Sequence, residues 1–173
     1  MDRIELQTLA DEIRKDSAVA VAAYETACAR FGPGTPVANE GCAFHLARFY
    51  NIVEQLGLRV AKAFENSMDD EKGWHTELIR RLSIAIQGVR PALFAAEVLQ
   101  PLRDLRAFRH VFVHAYELEL DPEKLALLLK YARIVAGRLP DLVEAFVREA
   151  AQQQEAAEVH ERSGRGGPEP QQH

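Results

Sequence analysis

Apolar residues recur every three or four positions through each long segment of this chain, and in none do they alternate. A spacing of three to four turns one apolar stripe along a helix, whereas a strand needs a period of two. Leu6, Leu9, Ile13, Ala20, Tyr24, Ala27 and Phe31 form such a stripe and predict a first helix from about Ile4 to Arg30. The cluster Gly32-Pro33-Gly34-Thr35-Pro36 breaks it, because glycine and proline resist continuation of a helix. Leu46, Phe49, Val53, Leu56, Val60 and Ala63 predict a second helix from about Glu40 to Asn66, followed by a loop over Ser67–Gly73.

Trp74, Leu78 and Leu82 predict a shorter helix from Trp74 to Gln87, with Gly88 and Pro91 ending it. A fourth helix is expected to start near Pro91 and to carry Val98, Leu102, Leu105, Phe108 and Phe112 inward. Asp121-Pro122-Glu123 is a start signal: a capping aspartate, proline at the first helical position, and an acid in the first turn. The fifth helix then runs through Leu125, Leu128, Ala132, Val135, Leu139 and Leu142, with a kink expected at Pro140.

These elements predict an all-α fold, an antiparallel bundle of about five helices over residues 1–150. With 173 residues, 47% of them apolar, the chain can bury one sizeable core. Past about Ala151 the composition turns to Gln, Glu and Ala, and then to Ser163-Gly164-Arg165-Gly166-Gly167-Pro168. A frayed helix and a disordered C-terminal tail are expected over 151–173. No apolar run approaches a membrane span, so no membrane partner is expected. The polar start Met1-Asp2-Arg3-Ile4-Glu5 is unlike a signal peptide. Cys28 and Cys42 therefore read as buried thiols in a cytoplasmic protein.

A net charge of −5 excludes a protein that coats nucleic acid without specificity. The charge is unevenly spread, however. Between Arg80 and His110 six arginines (Arg80, Arg81, Arg90, Arg103, Arg106 and Arg109) stand against two acids, Glu97 and Asp104. A confined basic segment on an acidic chain fits a specific anionic ligand. Arg80 and Arg81 read either as part of that basic rim or as a solvated face.

Inside this segment lies Arg109-His110-Val-Phe-Val-His114-Ala-Tyr116. An arginine can hold a phosphate through paired, charge-assisted hydrogen bonds, and a histidine can move a proton near neutral pH. Together they suffice to cleave a phosphodiester without a metal or other cofactor. On an ideal helix Arg103, Arg106, His110 and His114 fall close to one line, with Arg109 and Tyr116 on a neighbouring one. Arg109 and His114, five apart, diverge by about 140°. Convergence on one phosphate requires either that the helix loosens near His114 or that a second copy of the chain completes the site. Three other readings stay open. An arginine and a histidine near a helix end can serve as partners for carbonyls and the helix dipole. His110 and His114 could form a metal pair, although catalytic zinc wants three protein ligands and only Glu117 is near. His45, among apolar residues, reads as a satisfied core histidine.

The motif resembles that of the HEPN superfamily, and more narrowly that of the HepT-like ribonuclease toxins. Their pattern is arginine, a polar residue, three variable residues and histidine, with a tyrosine two residues on. Arg109, His110, His114 and Tyr116 match it. Phe44-His45-Leu-Ala-Arg-Phe49-Tyr50 and Gly73-Trp74-His75-Thr-Glu-Leu are also similar to stretches of one HepT-like subgroup, so that the resemblance covers roughly residues 40–145. It implies a helical homodimer with its motif helices meeting in a cleft. It further implies a metal-independent endoribonuclease of a toxin–antitoxin pair, whose antitoxin is a nucleotidyltransferase that adenylylates Tyr116. In that reading Arg109 and His114 are catalytic, and His110, Arg106, Arg103 and Tyr116 support substrate binding. The alternative is a non-catalytic HEPN-type module that binds nucleotide or a partner protein.

Overall fold

In the computed structural model, which describes residues 1–32, 34–65, 74–114 and 119–164, the chain forms five helices. They are α1 (Arg3–Arg30), α2 (Pro36–Phe64), α3 (Trp74–Leu82), α4 (Ala96–His114) and α5 (Pro122–Gly164). The expected loop over Ser67–Gly73, the residues Tyr116 and Glu117, and the tail from Arg165 onward lie outside the described residues, as do the side chains of Trp74 and His75.

Helix starts follow local chemistry. The Asp2 carboxylate accepts from the Glu5 amide at 2.8 Å, and the Glu5 carboxylate accepts from the Asp2 amide at 2.8 Å, a reciprocal capping box. Asp121 accepts from the Glu123 amide at 2.8 Å at the start of α5, as its sequence signal predicts. The expected start of α2 near Glu40 is late. Thr35 accepts from the Ala38 amide at 3.3 Å, and Pro36 occupies the first helical position. The Gly/Pro cluster therefore ends one helix and starts the next. At the other end, α5 passes through Pro140 and continues to Gly164, well beyond Ala151.

Contacts between helices fix their directions. Arg30 lies beside Gly41 while Arg59 pairs with Glu12 and Asp16, so α1 and α2 run antiparallel. Arg14 pairs with Glu144 and Glu97 with Arg138, which ties α5 to α1 and to α4. Helix α2 packs against all four others. Its Leu46, Phe49, Leu56 and Val60 are fully buried at the centre of the core. Cys42 is buried, whereas Cys28 is exposed, contrary to expectation.

The expected third and fourth helices differ most from the structure. Helix α3 stops at Leu82, and α4 begins at Ala96 instead of near Pro91. The cause is Arg90, whose side chain is 0% exposed. Its guanidinium donates to the carbonyls of Ile84, Arg81 and Pro91 at 3.0, 3.0 and 3.2 Å, and pairs with Glu65 at 2.6 Å. Carbonyls that helix continuation would have satisfied are taken by a side chain. A tight reversal through Gly88 (φ +74°) closes the turn, with Ile86 and Arg90 bonded backbone to backbone. The Leu93 and Phe94 amides then donate to the Leu82 carbonyl at 2.8 and 3.1 Å. Removing one partner of a buried ion pair strands the other charge. Arg90→Ala should therefore cost about 3–5 kcal/mol in urea unfolding, and Arg90→Met combined with Glu65→Leu should cost less than Arg90→Ala alone. Equal stability of Arg90→Ala and the parent would show that this pair does not hold the segment.

Candidate functional site

The described motif residues lie on the second half of α4, which packs between α2 and α5. Leu102 and Leu105 are buried and seat that helix. Arg106 and Arg109, half-buried, point towards α2. The Arg109 Nε donates to Asn51 Oδ1 at 2.8 Å. Beneath them the buried Tyr50 hydroxyl donates to Glu54 at 3.1 Å. Burial pushes the Tyr50 phenol far above its ordinary range and the Glu54 carboxylate adds to the shift, while Arg106 and Arg109 oppose it. Both guanidinium groups are thus close enough for their charge to be felt at Tyr50.

Arg103, His110 and His114 face solvent. The His110 and His114 rings lie 4.6 Å apart between centroids, tilted by 34°. The His114 Nδ1 lies 2.8 Å from the His110 carbonyl oxygen. A carbonyl can only accept, so Nδ1 carries the hydrogen and Nε2 of the neutral ring is left as the base. That contact is also a helix-end bond to a backbone carbonyl, the structural role expected of such a residue. It occupies one ring nitrogen and leaves the other available.

Helix α4 is continuous to His114, so it does not loosen between Arg109 and His114. The two side chains keep the divergence of about 140° that helical spacing imposes. Within one chain Arg109 is directed at α2 and His114 at solvent. Tyr116, expected to complete the motif, lies outside the described residues.

The basic segment is smaller than its sequence indicates. Arg80 pairs with Glu77, and Arg81 and Arg90 both pair with Glu65. Arg80 and Arg81 are therefore held by carboxylates and do not extend a basic rim. On α4 itself the segment contributes Arg103, which is exposed, and Arg106 and Arg109, which are turned towards α2. A cavity of about 440 Å³ between α4 and α5 is lined by Phe108, Val111, Leu128 and Tyr131, with Asp104 and Asp121 at its edge. Arg109 and His114 do not line it, and its acids would repel a phosphate.

Sequence reasoning missed Asn51 and the Tyr50–Glu54 pair. The available signal was Glu54 itself, an acid in the apolar part of α2, four residues after a tyrosine and so on the same face. No group of three or more His, Cys, Asp or Glu side chains among the described residues is placed to hold a metal ion. No helix there is long and apolar enough to cross a membrane.

Comparison with protein families gives a match over residues 41–150 to the family described as HepT-like protein. The match spans α2 to most of α5, and agrees with the stretch of roughly 40–145 over which the sequence resembles that group. No curated protein and no solved structure matches the chain. By this match the chain belongs to the HepT-like family of the HEPN superfamily, and in general terms to its toxin modules.

Proposed function

We propose that this chain is a metal-independent endoribonuclease, the toxin of a toxin–antitoxin pair, acting as a cytoplasmic homodimer. The observation that carries the proposal is how Arg109 and His114 are anchored. Each is held by one nitrogen, Arg109 through Nε on Asn51 and His114 through Nδ1 on a carbonyl. Among the described residues nothing else bonds to the Arg109 Nη groups or the His114 Nε2, which are left to act. Because the two diverge along one helix, the phosphate binds between Arg109 of one copy and His114 of the other. A homodimer is the simplest symmetric assembly that offers such a pair.

In the reaction, His114 Nε2 takes the proton of the ribose 2′-hydroxyl. The 2′-oxygen attacks the adjacent phosphorus, the bond to the 5′-oxygen breaks, and the departing oxygen takes up a proton. The products are a 2′,3′-cyclic phosphate and a 5′-hydroxyl. Arg109 neutralises charge that grows on the phosphorane. Arg103, Arg106 and His110 hold neighbouring phosphates. An antitoxin nucleotidyltransferase silences the site by adding AMP to Tyr116, which places bulk and negative charge where RNA phosphates must sit, by the logic of phosphorylation.

His114→Ala should lower RNA cleavage by about 10²–10⁴-fold, and Arg109→Ala by about 10²–10³-fold, with EDTA without effect. Folded variants that cut as fast as the parent would leave only a binding module. Growth arrest on expression, relieved by His114→Ala, tests the toxin role directly.

Mixing tests the shared site. Arg109→Ala and His114→Ala chains, each inactive alone, should regain about a quarter of parental cleavage when refolded together in equal amounts. Half of the dimers are then mixed, and each of these holds one complete site out of two. No recovery in dimers shown to have exchanged would place both groups in one chain.

A further inference from the structure

We infer that the exposed face of α2, around Phe44 and Arg48, is a second nucleotide subsite that binds the single-stranded RNA whose scissile phosphate sits at Arg109. The inference rests on the nuclease reading and names how the substrate is held beyond the cut.

Phe44, Arg48 and Asn51 follow one another at intervals of four and three on α2, so they share one stripe. Asn51 is the residue that holds Arg109. Seven residues of helix put Phe44 about 10 Å from Asn51 along the axis, with Arg48 between them. Phe44 is 55% exposed, an unusual position for a large aromatic ring. Its ring meets the His45 ring edge-on at 5.2 Å, which braces it without covering it.

Positive charge flanks that ring. The aliphatic stem of Arg30 lies over Gly41, one turn before His45. Its guanidinium and that of Arg48 are both close enough to press the His45 imidazole towards its neutral form, adding to the larger effect of burial. Among the described residues neither Arg30 nor Arg48 has a carboxylate partner, whereas Arg14, Arg59, Arg80, Arg81, Arg90 and Arg138 all do. From Gly41 to Leu58 the one acid is Glu54, and it is buried.

There is also space for a ligand. A cavity of about 300 Å³ opens between α1 and α2, lined by Ala18, Ala22, Thr26, His45 and Arg48 among others, with no acid in its wall. Among the described residues the buried His45 Nδ1 has no hydrogen-bond partner, so His45 is not the satisfied core histidine its neighbours imply. A buried polar atom left unpaired is costly, and a sugar or base edge could satisfy it.

An exposed ring beside guanidinium groups that have no carboxylate partner among the described residues is the equipment for gripping single strands, because bases stack on aromatics and arginines hold phosphates. A second copy of the chain fits this face less well, since it would bury two arginines without counter-charge. Arg30, Thr26 and the rest of α1 lie outside the segment matched to the family. Part of this subsite therefore belongs to this chain's own N-terminal helix.

The test uses the full chain and a labelled 2′-O-methyl oligoribonucleotide of about 12 nucleotides and mixed sequence, a length within the span of single-strand sites. It cannot be cut, so anisotropy reads binding alone. Phe44→Ala should weaken binding about 5- to 100-fold. Phe44→Trp should retain it and Phe44→Leu should not, because stacking needs a ring. Arg48→Ala should reduce the slope of log K against log salt by about 0.7. Parental affinity in Phe44→Ala and Arg48→Ala, with RNA cleavage by the parent intact, overturns the subsite and leaves the nuclease standing. A parent that neither binds the probe nor cuts RNA defeats both. Sedimentation showing that Phe44→Ala breaks the dimer assigns the face to a second copy and overturns the inference.

Discussion

The Arg90 guanidinium is wholly buried, and its needs organise half of the molecule. A buried cation must find a counter-charge and a full set of acceptors. Glu65, just past the end of α2, supplies the charge, and the carbonyls of Arg81, Ile84 and Pro91 supply the rest. These bonds stop α3, shape the turn through Gly88, and fix where α4 can begin. Close packing finishes the alignment. A Cβ on Gly57 would lie 2.9 Å from Leu82 Cδ1, so a larger residue there would make the Leu82 side chain shift. From that anchor α4 runs antiparallel to α2 and delivers Arg109 to Asn51.

Much of this was legible in the sequence, for identifiable reasons. Helical period, the Asp121-Pro122-Glu123 cap and the spacing of Leu102 and Leu105 are local properties, and each survives in the structure. The short helix of 74–87 and the start near Pro91 failed because Arg90 acts through contacts distant in sequence, with Glu65 above all. A charge pattern cannot tell a buried structural arginine from one that binds a ligand. The six arginines between Arg80 and Arg109 look equivalent in the chain, yet Arg90 is buried against Glu65 while Arg109 is held by Asn51. Asn51 was illegible for the same reason, since nothing local marks one asparagine among the residues of α2 as the partner of an arginine 58 positions away.

Helix geometry also constrains the chemistry. A separation of five residues is poorly suited to two groups meant to share a ligand within one straight helix, because it places them about 140° apart. The same separation is well suited to two helices that cross at a symmetry axis. Each helix then offers one face to its own bundle and another to its partner. Arg109 is seated against α2, and His114 stands clear at the end of α4. In the proposed dimer this division lets the arginine be positioned by its own core while the imidazole reaches across. In that dimer, activity would depend on assembly.

The partner of each arginine therefore indicates its role more clearly than its place in the sequence does. Several arginines that bind carboxylates join helix to helix, as Arg14 joins α1 to α5 and Arg59 joins α2 to α1. Arg109 is held by a neutral amide, and an amide orients a guanidinium without cancelling its charge. Arg30 and Arg48 have no carboxylate among the described residues, and the His45 they crowd is held towards its neutral form. Leaving cations uncompensated on one face of an acidic protein opposes folding slightly and is tolerated where an anion is to arrive. On a chain with a net charge of −5, the cations of α2 and α4 would draw the proposed RNA strand towards them. In the proposed complex the stripe of α2 from Phe44 to Asn51 both positions the proposed catalytic arginine and guides the strand towards it.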